Sequence, residues 1–394
     1  MNKNSRTGLA KLAFRFVLVI GIVNLFADLT YEGARSITGP FLGSLGASAT
    51  VIGIVVGFGE LLGYGLRSVS GFLADKTHRY WLVAFVGYAV NMLAVPALAL
   101  AGNWPVAAAL IIAERTGRAI RKPSVDTMIS YAGKSIGHGW VFGLNEALDQ
   151  SGATVGPLIV ALVLYLQGGY RYGFAVLLLS ALLCLGTLAV ARVMYPRPHE
   201  LEEKSAQFLA TKGFPKAYWL YLGAGAFIAA GFADFSLIAF HFQKAASVSQ
   251  NLIPVFYSVA MGVGALAALL FGRLLDRIGF PILIIAFFLS ALFAPFVFLG
   301  SAGFALVGMM LWGVGMGAQD SLLKAVLTGV VSAGKRSTAF GLFDTGFGIA
   351  WFLGSAALGF LYDRSIPALV ILSVVLQLFA LPLFLWGRTQ AKGA

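Results

Sequence analysis

The chain has 394 residues, of which 59% are hydrophobic and 11% charged, with a formal net charge of +12. Soluble cores cannot hide that much apolar surface, and disorder, a disulfide scaffold or a collagen-like repeat would need few apolar residues, many cysteines (there is 1) or a Gly-x-y period. What remains is an all-α polytopic membrane protein, and runs of about 20 apolar residues mark twelve candidate spans.

The basic start, Met1 to Arg15, precedes an apolar stretch with no small-residue cleavage site, so it reads as the retained beginning of span 1 (14–38). In that span Asn24, Asp28, Glu32 and Arg35 fall on one helical face. A polar stripe of this length cannot face lipid and is expected to line a cavity, with Tyr31 among its aromatics. Arg35, one turn from Glu32, should hold that acid ionised and leave Asp28 the freer carboxylate. Span 2 (48–70) carries Glu60, Tyr64 and Arg67 on one face and runs into Gly71-Phe-Leu-Ala-Asp75-Lys76-Thr77-His78-Arg79. Span 3 (80–101) precedes span 4 (104–126), which holds Glu114, Arg115 and Arg118; Arg121 and Lys122, near its end, are assigned to the following loop. Span 5 (139–165) contains Glu146, Asp149 and the series Gly143, Gly152, Gly156, Pro157, whose small residues and proline mean close helix contact and a local bend. Depths counted along the helices at about 1.5 Å per residue pair Arg118 with Glu146 and Arg115 with Asp149.

Span 6 (170–194) contains the lone Cys184, and the polar stretch 195–216 then divides the chain. Span 7 (217–242) supplies Asp234 and His241; span 8 (251–275) leads into Asp276-Arg277-Ile278-Gly279; span 9 (280–300) is apolar. Span 10 (303–328) carries Trp312, Asp320 and Lys324, span 11 (338–361) Asp344 and Trp351, and span 12 (366–387) closes the series. With both termini on one side, that side collects 20 Lys and Arg against 3 opposite, 5 more lying inside spans. The positive-inside rule therefore puts both termini and the middle loop in the cytoplasm of a plasma-membrane protein, and the net charge is an orientation signal instead of a nucleic-acid footprint.

The two halves of the chain echo each other. Phe26-Ala27-Asp28 recurs as Phe232-Ala233-Asp234, Gly71 to Asp75 as Gly272 to Asp276, Ala132-Gly133-Lys134 as Ala333-Gly334-Lys335, and Phe142-Gly143-Leu144-x-Glu146 as Phe340-Gly341-Leu342-x-Asp344. Offsets near 200 in a constant order indicate two parallel six-helix halves, 1–194 and 217–394, joined by 195–216. On these residues the chain resembles the major facilitator superfamily, with Lys76 and His78 departing from the loop signature Gly-x-Leu-Ala-Asp-Arg-x-Gly-Arg and the second copy keeping its Asp-Arg-x-Gly core. The resemblance implies twelve helices rocking about a central cavity lined by spans 1, 4, 7 and 10. The intramembrane Arg of span 4 is similar to the family's fourth-helix arginine signature. Gly143, Gly152, Gly156 and Pro157 look like the motif of its antiporters, with Val160-Ala161 in place of Gly-Gly.

Acids inside the spans outnumber bases by nine to five, and unpaired buried carboxylates take up protons. Asp28, Glu32 and Asp234 are the candidates for proton coupling. Asn24, Tyr31, Arg35, Glu60, Glu114, Arg115, His241, Asp320 and Lys324 are candidates for the solute cavity. Asp75, Arg79, Arg118, Glu146, Asp149, Asp276, Arg277 and Asp344 are candidates for ion pairs and gating. Four scattered histidines lack metal-ligand spacing, and no phosphate-gripping loop is present, so neither metal nor cofactor nor enzymatic chemistry is expected. The expectation is a monomeric proton-coupled antiporter exporting a small molecule. Two alternatives stay open: a symporter or uniporter for a nutrient, metal ion or organic anion, and a receptor or assembly factor on the same scaffold.

Overall fold

The computed structural model describes residues 3–136, 138–166, 168–198, 213–331 and 336–392. Fifteen α-helices build the twelve spans, and no strand occurs among the described residues. Lipid offers the backbone no hydrogen bonds, so each apolar run satisfies its own amides and carbonyls by coiling. The first six spans are each one α-helix: α1 (Lys3–Ser44), α2 (Ala49–Thr77), α3 (Tyr80–Ala97), α4 (Trp104–Ile136), α5 (His138–Tyr165) and α6 (Tyr170–Met194). Span 7 is α7 (Lys216–Gly231) plus α8 (Phe235–Lys244), and span 8 is α9 (Ile253–Ile278). Span 9 is α10 (Pro281–Ala291) plus α11 (Phe293–Leu299), and span 10 is α12 (Ala302–Ala318) plus α13 (Lys324–Val330), joined by a wide turn over Gln319–Leu323. Spans 11 and 12 are α14 (Arg336–Tyr362) and α15 (Ile366–Lys392).

Among the described residues, eleven of the spans are long and apolar enough to cross a membrane. The twelfth, α4, has the length at 33 residues but is studded with charge. It also corrects the sequence reading, because it runs ten residues past the expected end at 126 and carries Arg121 and Lys122 inside the helix.

Span 7 is the second correction. The apolar run predicts one helix, yet the chain is extended across Phe232, Ala233 and Asp234. Side chains from distant helices satisfy the backbone there: Ser373 Oγ donates to the Gly231 carbonyl at 2.6 Å, and Trp312 Nε1 donates to the Ala233 carbonyl at 2.9 Å. Asp234 itself caps α8, accepting the Ser236 amide at 2.8 Å.

The helices pack as two compact units, one of Met1–Arg35 with Leu62–Gln207, the other of Ser36–Leu61 with Phe208–Ala394. In the first, Phe16, Ile20, Trp81, Met92, Met128 and Leu188 belong to one apolar core. In the second, Phe232, Phe235, Tyr257 and Trp312 stack around the break in span 7. The repeat is visible in how small residues are used. A Cβ on Gly156 of α5 would collide with the Leu29 carbonyl of α1, and a Cβ on Gly354 of α14 with the Ala230 carbonyl of α7. The same close contact is thus made once in each unit.

Candidate functional site

A buried polar cluster fills the first unit, and α1 supplies its spine. Asn24, Asp28, Glu32 and Arg35, each at most 8% exposed, keep the single face their spacing requires. Arg35 Nη1 lies 3.8 Å from the Glu32 carboxylate. From α4, Arg121 comes in at 3% exposure and is the cation at the centre. Its Nη1 donates to Asn24 Oδ1 at 3.3 Å and its Nη2 lies 3.8 Å from Asp28 Oδ1. The guanidinium sits 4.5 Å above the Tyr88 ring of α3, and the Tyr88 hydroxyl donates to Asn24 as well.

From α5, Asn145 accepts the Asn24 amide at 2.8 Å and passes its own amide to Asp149 Oδ2 at 3.2 Å. The other Asp149 oxygen is buried without a hydrogen-bond partner. Local sequence explains this geometry: Gly152 and Gly156 leave no side chain between α5 and the α1 backbone, so the turn before them brings Asn145 and Asp149 onto α1. A continuous line of hydrogen bonds and charge thereby connects Asp149, Asn145, Asn24, Arg121 and Asp28 across three helices. Such a line holds two carboxylates around one guanidinium.

The other candidates are dispersed. Arg118 lies over the Tyr31 ring at 4.4 Å, and Arg115 lies 3.3 Å from the carboxylate of its neighbour Glu114, which also accepts from Asn91 at 2.9 Å. Neither expected pair, Arg118 with Glu146 or Arg115 with Asp149, forms. Glu146 is exposed and accepts from Gln150 at 2.9 Å, and Asp149 takes only the Asn145 amide. The depth match fails because α4 ends at Ile136 and α5 begins at His138, so Arg118 lies about 27 Å and Glu146 about 12 Å along their helices from that junction.

Glu60 is buried on α2, one turn from Tyr64, over whose ring Arg67 lies at 4.8 Å. In the second unit His241 is buried with Nδ1 3.1 Å from the Tyr362 hydroxyl, Asp320 is exposed on the wide turn of span 10, and Asp344 is half-buried. Arg79 and Arg277 are exposed at helix ends; Pro157 lies inside α5. Gly143 lies inside α5, and residues 333–335 and the side chains of Asp75, Asp276 and Lys324 lie outside the described residues. Trp312 is core, and no group of three or more metal-ligating side chains gathers among the described residues. Sequence reasoning missed Tyr88, Asn91, Arg121 and Asn145. Their signal is present in the spacing: Glu114, Arg118 and Arg121 recur at helical intervals, as do Tyr88 with Asn91 and Asn145 with Asp149.

Known proteins place this architecture. The sequence profile of the Major Facilitator Superfamily matches residues 20–355. An uncharacterized protein of Mycobacterium tuberculosis (strain H37Rv) is 41% identical over 375 residues, covering 94% of this chain and 92% of its own. An uncharacterized MFS-type transporter of Methanocaldococcus jannaschii is 24% identical over 358 residues, with 89% of each chain covered. Among solved structures, a peptide transporter in complex with sulfate superposes with a TM-score of 0.77 at 15% identity, over 96% of this chain and 94% of that one.

Proposed function

The chain belongs to the Major Facilitator Superfamily, and from that premise we propose that it is a proton-coupled secondary transporter that exports a small solute by antiport. Its two sequence halves, 1–194 and 217–394, rock about a central cavity while 195–216 links them in the cytoplasm. The observation that carries the reading is Arg121 between Asn24 and Asp28, with Asp149 on the same line of hydrogen bonds. Protonation of Asp28 removes the charge that holds Nη2 and releases a solute group paired with that carboxylate, and the freed guanidinium turns toward Asp149. Deprotonation restores the pair. Solute and proton then compete for Asp28, the solute pairing with the ionised carboxylate and the proton discharging it, as exchange requires. Glu32, salt-bridged to Arg35, tunes this site. Asp234 is its counterpart in the second half, where taking a proton weakens the cap of α8.

Tyr31, Arg35, Glu60, Glu114, Arg115, His241, Asp320 and Lys324 contribute to the solute path, and Gly152 and Gly156 supply the antiporter-like packing of α5. Proteoliposomes containing a pH dye test the reading. Solute addition should move protons outward from the lumen or inward according to the imposed gradient, and opposite gradients separate exchange from co-transport. Asp28→Asn should abolish gradient-driven flux while solute exchange persists. Undiminished driven flux in that variant removes Asp28 from the mechanism; solute binding with no flux in the parent favours a receptor.

A further inference from the structure

The beginning of α2 is capped from an unexpected place. A helix start leaves four amides without partners, and here Ser48 serves in the ordinary way, its Oγ accepting the Val51 amide at 3.2 Å. The amides of Ala49 and Thr50 are satisfied instead by Asp363, 313 residues beyond Thr50, in the turn after α14. Asp363 Oδ1 accepts the Ala49 amide at 3.2 Å; Oδ2 accepts the Thr50 amide at 2.8 Å and the Thr50 hydroxyl at 2.6 Å. The carboxylate also sits at the positive end of the α2 dipole.

Asp363 is held there by the turn itself and by the seam beneath it. Its amide donates to the Gly359 carbonyl at 3.4 Å, and the Ser365 amide donates to the Leu361 carbonyl at 2.7 Å. Below, α2 and α14 touch through small residues one turn apart. A Cβ on Gly53 would collide with the Ser355 carbonyl, one on Gly57 would lie 2.9 Å from Ser355 Cβ, and one on Gly359 would press on Ala49. The Phe58 and Phe352 rings close the seam edge to face at 6.0 Å. A small apolar cavity remains between Val56, Ile52, Asp234 and Leu358. Charged groups near the cap are Lys244 of α8, over the Tyr362 ring at 5.4 Å, and Arg364, over the Phe360 ring at 4.2 Å.

We propose that Asp363 is a detachable latch: a helix cap supplied by the second sequence repeat to the second helix of the first, on the side the positive-inside count makes extracellular. The inference rests on the rocking-halves reading, since only halves that separate need a cap that lets go. The seam makes the contact close, and the cap makes it directional, because Ala49 and Thr50 regain water when the helix ends part. An ordinary cap within one chain segment could not sense that motion.

The test is accessibility, which needs no solute. Val56→Cys is placed in a Cys184→Ser background of the full-length protein in proteoliposomes, and labelling from outside with a membrane-impermeant maleimide is timed. With Asp363→Ala the rate should rise on the order of tenfold, the weight of one lost cap. Thr50→Val, which removes one of three donors, should give a smaller rise. Asp363→Asn keeps the shape without the charge and decides the matter if the alanine variant fails to fold; it should also label faster than the parent. Equal rates in the parent and in the folded Asp363 variants would overturn the latch. Faster labelling in a protein that moves no solute would leave the latch standing and sink the transport reading instead.

Discussion

Arg121 serves Asn24 and Asp28 at once, while Asp149 has a single amide for company. Breaking a buried pair by removing one partner costs about 3–5 kcal/mol, because the other charge stays buried. Arg121→Gln should therefore lower the thermal midpoint sharply, and adding Asp28→Asn should recover part of the loss. Strictly additive losses in that cycle would mean the two groups do not interact. Asp149→Asn should cost little or even stabilise, since an anionic oxygen without a donor is expensive to bury and an amide is less so. A fall in the midpoint as large as that of Arg121→Gln would contradict this. Arg118→Gln and Glu146→Gln, by contrast, should behave independently. The α1 face was legible from its spacing, because a helix fixes which of its own residues share a side. The identity of the central cation was not, because placing Arg121 depends on where α4 ends, and nothing local ends it at 126: Pro123 sits inside the helix.

Helix ends and helix contacts carry the next set of consequences. His78 follows α2 with φ 53, and Gly279, at the matching place in the second repeat, caps α9 with φ 78. The left-handed region is costly for a side chain and open to glycine, so the second copy of the loop has the residue its backbone asks for and the first does not. His78→Gly should raise stability by about 1 kcal/mol, read from thermal unfolding; a loss would mean the imidazole makes a contact worth more than the strain. At Gly152, valine would have to displace the α1 backbone, and a penalty of at least roughly 1–3 kcal/mol with loss of flux is expected. The break in span 7 had only a faint local signature, Gly231 at the end of α7 and Asp234 as the cap of α8, inside a run that is otherwise apolar. It exists because Ser373, Gln377 and Trp312 reach the released carbonyls from other helices. Exchanging Ser373 for Ala together with Gln377 for Leu should strand the Gly231 carbonyl and cost about 1–3 kcal/mol; an unchanged midpoint would show that the break stabilises itself.

Across the whole molecule the acidity of the latch gives one more expected outcome. Burial pushes Asp363 up, but the Thr50 hydroxyl, the Thr50 and Ala49 amides and nearby Lys244 outweigh it and hold the carboxyl below the usual value. A lowered pKa contributes stability that is complete above the ordinary carboxylate range and lost as pH falls through the lowered value. The labelling difference between the parent and Asp363→Asn should thus be constant from about pH 5 to 8 and shrink below about pH 4. A difference that fades already near neutrality would assign the effect to another group.

Twelve membrane spans, their two-fold repetition and the polar face of α1 could be read from the order of residues alone, because hydropathy and helical period are properties of neighbours in the chain. Which charges meet could not. Arg121 finds Asp28, Asp363 finds Thr50 and Trp312 finds Ala233 only after the helices have packed, since each of these contacts joins groups far apart along the chain, and in a low-dielectric interior a shift of one helical turn changes which charge has a partner.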